Sequence, residues 1–256
     1  MEYGCCTFLF NNSECWTDIP KKAVNILNSL QNSFFCSLFG TSKGCPIPAY
    51  YWDTGSLTAE NFIIQKKLLF YFHLSNLEED SLAKEILNIQ KELELPGLAL
   101  ECKQYLIDLG ITGEPERMTK NHWKKAVQKC IHEKNKKELL SSIKNYKKLE
   151  YEKLVNEEYG IKKYILEMNL SQARTCFAAR SKMLRTVQMN FKGKPEYVAN
   201  QFKCTCGQED VQAHLTSCHS YAHLRAGLDL TCDVDLVRFY QLVIHERESE
   251  AERHNS

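Results

Sequence analysis

The sequence predicts a mainly α protein: an irregular helical array with a small zinc-knuckle-like module toward its C-terminal end. Three observations carry this. Apolar residues recur every three or four positions along most of the chain, as in Val24, Leu27, Leu30, Phe34 and Leu38. Helix-ending residues punctuate those stretches at Gly40, Pro96-Gly97, Gly110 and Gly160. Three cysteines and a histidine then cluster as Cys204-Thr-Cys206-Gly207, His214 and Cys218.

Taken in order, residues 1–16 form an apolar piece with Cys5, Cys6, Phe8, Phe10 and Trp16, expected to pair with another surface. Thr17 or Asp18 caps an amphipathic helix with Pro20 in its first turn, ending at Gly40. The prolines and glycines of Thr41 to Gly55 predict a loop, packed through Tyr50-Tyr51-Trp52. Thr58 to Leu74 is apolar on nearly every face, which predicts a helix buried in its domain with His73 packed in the core.

Acids at Glu78-Glu79-Asp80, followed by Ser81, start a helix through about Leu93, and another runs from Leu98 to Leu109. Residues 111–118 are the best linker. Thr119 caps a helix with Trp123, Ala126, Val127 and Cys130 on its apolar face. A separate, longer helix is expected from about Asn135 to Tyr159, with Leu139, Ile143 and Tyr146 on one side. Shorter helices cover Ile161–Met168 and Leu170–Ala179, and Thr186–Phe191 is a short extended piece. After a helical turn at Tyr221–Gly227, Asp233 caps a last helix to about Glu246, and the charged tail frays.

With 256 residues the chain can bury a real core in one or two domains. Its organisation reads as three segments: 1–112, helical with the packed aromatic loop; 113–192, basic and helical; and 193–256, the metal module with the last helix. Twelve cysteines in a chain of this size, with no signal peptide in view, point to reduced thiols. The expected location is therefore intracellular, nuclear or cytoplasmic, and not secreted. No apolar run reaches the length of a membrane-spanning helix.

The cysteine–histidine cluster is the most informative stretch. Three thiolates and an imidazole make a closed tetrahedral set for Zn2+. Gly207 suits a tight turn after the first pair, and His214 and Cys218, four apart, share one face of a helical turn. The first pair is C-x-C rather than the usual C-x-x-C, so the turn has one residue fewer to wrap an ion. His219 and His223 are near enough to replace a ligand. The alternative is four reduced cysteine and histidine side chains in an ordinary core.

The net charge of +1 conceals a strong asymmetry, because residues 118–192 carry 18 Lys/Arg against 7 Asp/Glu. Lys137, Lys144 and Lys148 fall close together opposite an apolar face. Trp123 and the Lys124-Lys125 pair beside it suit contact with a nucleic-acid backbone, and Arg180, Lys182 and Arg185 follow downstream. Such a stripe is a candidate phosphate track for RNA or single-stranded DNA, since lysine and arginine gain affinity by releasing condensed counterions. The competing reading is a solvated surface on a protein-interaction module in which zinc is only a structural staple.

Catalytic motifs are missing from the sequence. It has no Asp-Asp pair to hold the two metals of a polymerase, no phosphate-binding Gly-rich loop, no G-x-S-x-G and no H-E-x-x-H. No catalytic residue is assigned, and the chain is expected not to be an enzyme.

Several stretches resemble one family: Asn11–Trp16, Lys43–Asp53, Lys67–His73, Ser81–Glu85, Pro96–Leu98, Arg180–Met183, Val187–Phe191 and the Cys/His cluster. Over essentially the whole length the chain is similar to the C-terminal region of reverse transcriptases from LINE-like (non-LTR) retrotransposons. The resemblance implies that Cys204, Cys206, His214 and Cys218 are zinc ligands of a knuckle that grips template RNA or target DNA. It also implies that this chain is the tail of an RNA-directed DNA polymerase polyprotein. The palm and its Asp-Asp hairpin are absent from the sequence, and the missing polymerase domains are expected partners of the apolar N-terminus.

Overall fold

The computed structural model describes residues 10–41, 45–144, 158–181, 183–184, 204, 206–209 and 211–255. The protein is mainly helical, with no strand among those residues. The expected extended piece at Thr186–Phe191, the N-terminal residues 1–9, and residues 145–157 of the expected Asn135–Tyr159 helix, Tyr146 among them, lie outside the described residues.

The chain divides into two compact units. The first takes the described residues 10–34, 50–144 and 158–160; the second takes 35–41, 45–49 and those from 161 onward. The turn at 111–118, expected as a linker, is internal to the first unit, where Ile111 and Met118 pack on the core and Pro115 is buried.

Helix α1 (Lys21–Phe39) starts just after Pro20, whose carbonyl accepts the Val24 N–H at 3.3 Å. Its buried positions are Gln31, Phe35 and Phe39, while Leu30 of the expected apolar stripe is exposed. Helix α2 (Ile47–Thr54) corrects the expected loop. Pro48 is its second residue, where a missing N–H costs nothing because that donor has no partner within a helix. The helix then buries Tyr50, Tyr51 and Trp52.

Helix α3 (Ala59–Ser75) is the centre of the first unit. It buries Ile64, Leu68, Tyr71 and Phe72 against α4 (Leu82–Glu92), α5 (Leu98–Leu109) and α6 (Lys120–Ile143). At its N-terminal end Phe10 packs on Ala59 and Ile63 in a satellite cluster with Trp16 and Leu27. His73 is exposed rather than packed, because the inward faces of α3 carry Tyr71, Phe72 and Ser75.

Helix α5 ends as predicted on Gly110, at φ 64°, a left-handed cap that glycine adopts without a Cβ clash. Helix α6 corrects the two-helix expectation: a single helix runs unbroken from Lys120 to Ile143. Thr119 caps it as predicted, its hydroxyl accepting the His122 N–H at 3.3 Å. Its buried residues recur every fourth position as Trp123, Val127, Ile131, Asn135, Leu139 and Ile143. At about 100° per residue this row drifts around the helix, so neither half shows the whole apolar face.

In the second unit, α7 (Lys163–Glu167) and α8 (Leu170–Arg180) precede the Cys/His cluster. Asn169 and Gln172 close α8 with a reciprocal capping box. Then come α9 (Gln212–Leu215), a 3-10 turn at His219–Tyr221, α10 (Ala222–Arg225) and α11 (Asp233–Asn255). Asp233 is the first helical residue of α11 rather than the expected cap. The helix also continues beyond Glu246, through residues that include neither glycine nor proline.

Candidate metal centre and basic helix

The donor atoms of Cys204, Cys206, His214 and Cys218 all lie within 4.8 Å of one another. The Sγ atoms of Cys204 and Cys218 are 3.5 Å apart, and Cys206 Sγ is 3.1 Å from His214 Nε2. Donors at tetrahedral corners around one ion, each about 2.0–2.3 Å from it, are separated by about 3.3–3.8 Å. The four side chains could therefore hold a metal ion after small adjustments.

Local backbone chemistry presents each ligand. The Gly207 N–H donates to the Cys204 carbonyl and the Cys204 N–H to the Gln208 carbonyl, both at 2.8 Å, closing a tight turn. Gly207 sits at φ 86°, a conformation that a Cβ would strain. This is how the short C-x-C pair makes its turn. His214 belongs to α9, and the Cys218 N–H donates to its carbonyl at 2.9 Å, so both side chains leave the same face. Arg225 Nη1 ties down the Cys218 carbonyl at 2.6 Å.

Behind the ligands lies an apolar floor. Cys204 and Cys218 are buried with Leu215, Tyr221, Phe239, Tyr240 and Val243. Gln212 Nε2 donates to the Ala179 carbonyl at 2.8 Å, joining α9 to α8. The Gln208 backbone N–H pulls the Cys206 thiol pKa down. Burial and the neighbouring sulfurs of Cys218 and Cys204 outweigh it, so the thiol lies above its usual range.

Neither alternative histidine joins the group. His223 Nε2 pairs instead with Glu246 at 2.9 Å, and His219 is exposed.

Of the basic residues singled out, Lys124, Lys125 and Lys137 are exposed on α6, and Lys144 is exposed at its C-cap. Lys129, which has no place in the predicted stripe, is exposed on the same helix two residues after the buried Val127. Lys124 and Lys144 are 20 positions apart, about 30 Å along the axis, so the lysines form an extended track that turns with the helix's exposed side. Trp123 is corrected: it is fully buried, its Nε1 donating to the Leu68 carbonyl at 3.0 Å, and it cannot flank a phosphate contact. Arg180, in the second unit, lies over the Tyr164 ring at 5.9 Å. Lys148, Lys182 and Arg185 lie outside the described residues.

Two polar features of the first unit carried no clear sequence signal. Lys67 is buried and paired with Glu101. Asn135, mid-helix, accepts the Thr58 N–H at 3.1 Å and the Asn61 amide at 2.9 Å while donating to Tyr159 Oη at 2.5 Å. No described helix is long and apolar enough to cross a membrane. No protein-family model matches the chain, and no significant match was found among curated proteins or solved structures.

Proposed function

We propose that this chain is a zinc-binding, nucleic-acid-binding C-terminal part of a LINE-like reverse transcriptase, without a catalytic centre of its own. The convergence of Cys204, Cys206, His214 and Cys218 within 4.8 Å carries the reading. Three sulfurs and one imidazole nitrogen are a donor set that suits zinc, and closing all four corners leaves no open position for a reacting water. The ion is therefore structural: it ties the turn at Cys204 and Cys206 to α9 and the start of the 3-10 turn.

Nucleic acid is held by cations. Lys124, Lys125 and Lys137 are exposed and form no ion pair among the described residues, which leaves their charge for phosphates. RNA or single-stranded DNA is the ligand, gripped by its backbone. Filter binding across a salt series tests this. Affinity should fall linearly on a log–log plot, and Lys137→Gln with Lys144→Gln should flatten the slope by about 0.7 for each phosphate of a single strand that is no longer neutralised. Affinity indifferent to salt would sink the reading.

A second reading has its own support. The sulfurs of Cys204 and Cys218 face the core, as they would if zinc served a protein-interaction module only as a staple. In that case the chain takes up zinc but shows no salt-dependent retention of RNA.

A further inference from the structure

Helix α4 turns its apolar stripe to solvent. Leu82, Ile86 and Ile89, with Leu93 at the helix end, are 69%, 48%, 42% and 65% exposed. At about 100° per residue these four fall within an arc of about 60°. Leu87 is the helix's only buried residue. The spacing of four, three and four is that of a coiled-coil seam, in which such residues are covered by another helix. Exposed apolar stripes of this kind mark interaction sites.

Charge decides what covers it. The two lysines of α4 are turned away and engaged: Lys84 Nζ meets the Leu77 carbonyl at 2.9 Å and Glu79 at 2.6 Å. Lys91 Nζ meets Glu116 at 2.9 Å and lies 5.1 Å from the Tyr71 ring centroid. Glu85 and Glu92 instead flank the stripe on one side, exposed and without an ion pair among the described residues. The other flank carries Ala83 and Gln90, which bear no charge. The rim is thus acidic without compensation.

A second copy of this helix fits badly. Parallel self-pairing sets Glu85 against the neutral Gln90 position, and antiparallel self-pairing sets glutamate against glutamate. We propose that α4 is a docking face for a basic amphipathic helix of a partner protein. That helix carries apolar residues at the same spacing and Lys or Arg along the flank facing Glu85 and Glu92.

The test displays a library of helical peptides with a fixed apolar seam and randomised flanking positions against the full-length chain. The expected winners carry Lys or Arg opposite Glu85 and Glu92. They should bind Ile86→Lys/Ile89→Lys at least tenfold more weakly, and selection against Glu85→Lys/Glu92→Lys should return acidic flanks instead. Both variants alter only exposed side chains, and unchanged thermal melts identify them as folded. Winners without a charge preference, an empty selection, or winners indifferent to Ile86→Lys/Ile89→Lys overturn the proposal. So does sedimentation showing a dimer that Ile86→Lys/Ile89→Lys dissociates, since the occupant would then be a second copy.

Discussion

Lys67, with 1% of its side chain exposed, pairs with the carboxylate of Glu101 from the middle of α3. The other oxygen of that carboxylate accepts the Asp18 N–H at 2.9 Å, so one acid anchors both a buried cation and the chain entering α1. A buried ion pair gains little over apolar residues of similar volume, but half of one is costly. Lys67→Met or Glu101→Gln alone should lower stability by about 3–5 kcal/mol. Lys67→Met combined with Glu101→Gln should recover much of that in urea denaturation, with the double mutant well short of the sum.

Asn135 holds a second buried network. Its amide joins the 56–61 turn, α6 and Tyr159, and Tyr159 Oη itself donates to the Ser56 carbonyl at 3.1 Å. Asn135→Leu keeps the volume but removes the acceptor of the half-buried Thr58 N–H and of the Asn61 amide. We expect a loss on the order of 2 kcal/mol, read as a lower urea midpoint with an unchanged slope.

Removal of any metal ligand should empty the cluster. The purified chain should carry about one zinc ion, and Cys204→Ser, Cys206→Ser, His214→Ala and Cys218→Ser should each lose it by elemental mass spectrometry. His219→Ala and His223→Ala should retain it. Because the thiols must release protons to bind, and the Cys206 pKa is raised, apparent zinc affinity should fall as pH is lowered. Affinity that stays flat with pH would argue against thiolate ligation.

Thiol reactivity should sort by environment. Burial pushes the Cys102 thiol up to about 12, outweighing the nearby Lys67 cation, so almost no thiolate exists there at neutral pH. Cys15 and Cys232 are exposed. Among the described cysteines, iodoacetamide on the folded chain should label Cys15 and Cys232 first, with Cys102 labelled only on unfolding; peptide mapping over time reads the order.

Local rules set much of this protein in its sequence. Thr119, Gly110 and Pro96-Gly97 act within a turn or two, so the boundaries of α5 and the start of α6 followed from them. The convergence of Cys204, Cys206, His214 and Cys218 was equally legible, because the four lie within fifteen positions and two share a helical turn. Four features depended on distant packing instead. α2 tolerates Pro48 and buries its aromatics; α6 runs unbroken with Asn135 satisfied by Thr58, Asn61 and Tyr159; Lys67 finds Glu101; and α4 turns Leu87 inward and its stripe outward. Periodicity fixes that a helix has an apolar side. Only the neighbours that fold against it decide which side is covered, because burial free energy belongs to the assembled surfaces and not to the helix alone.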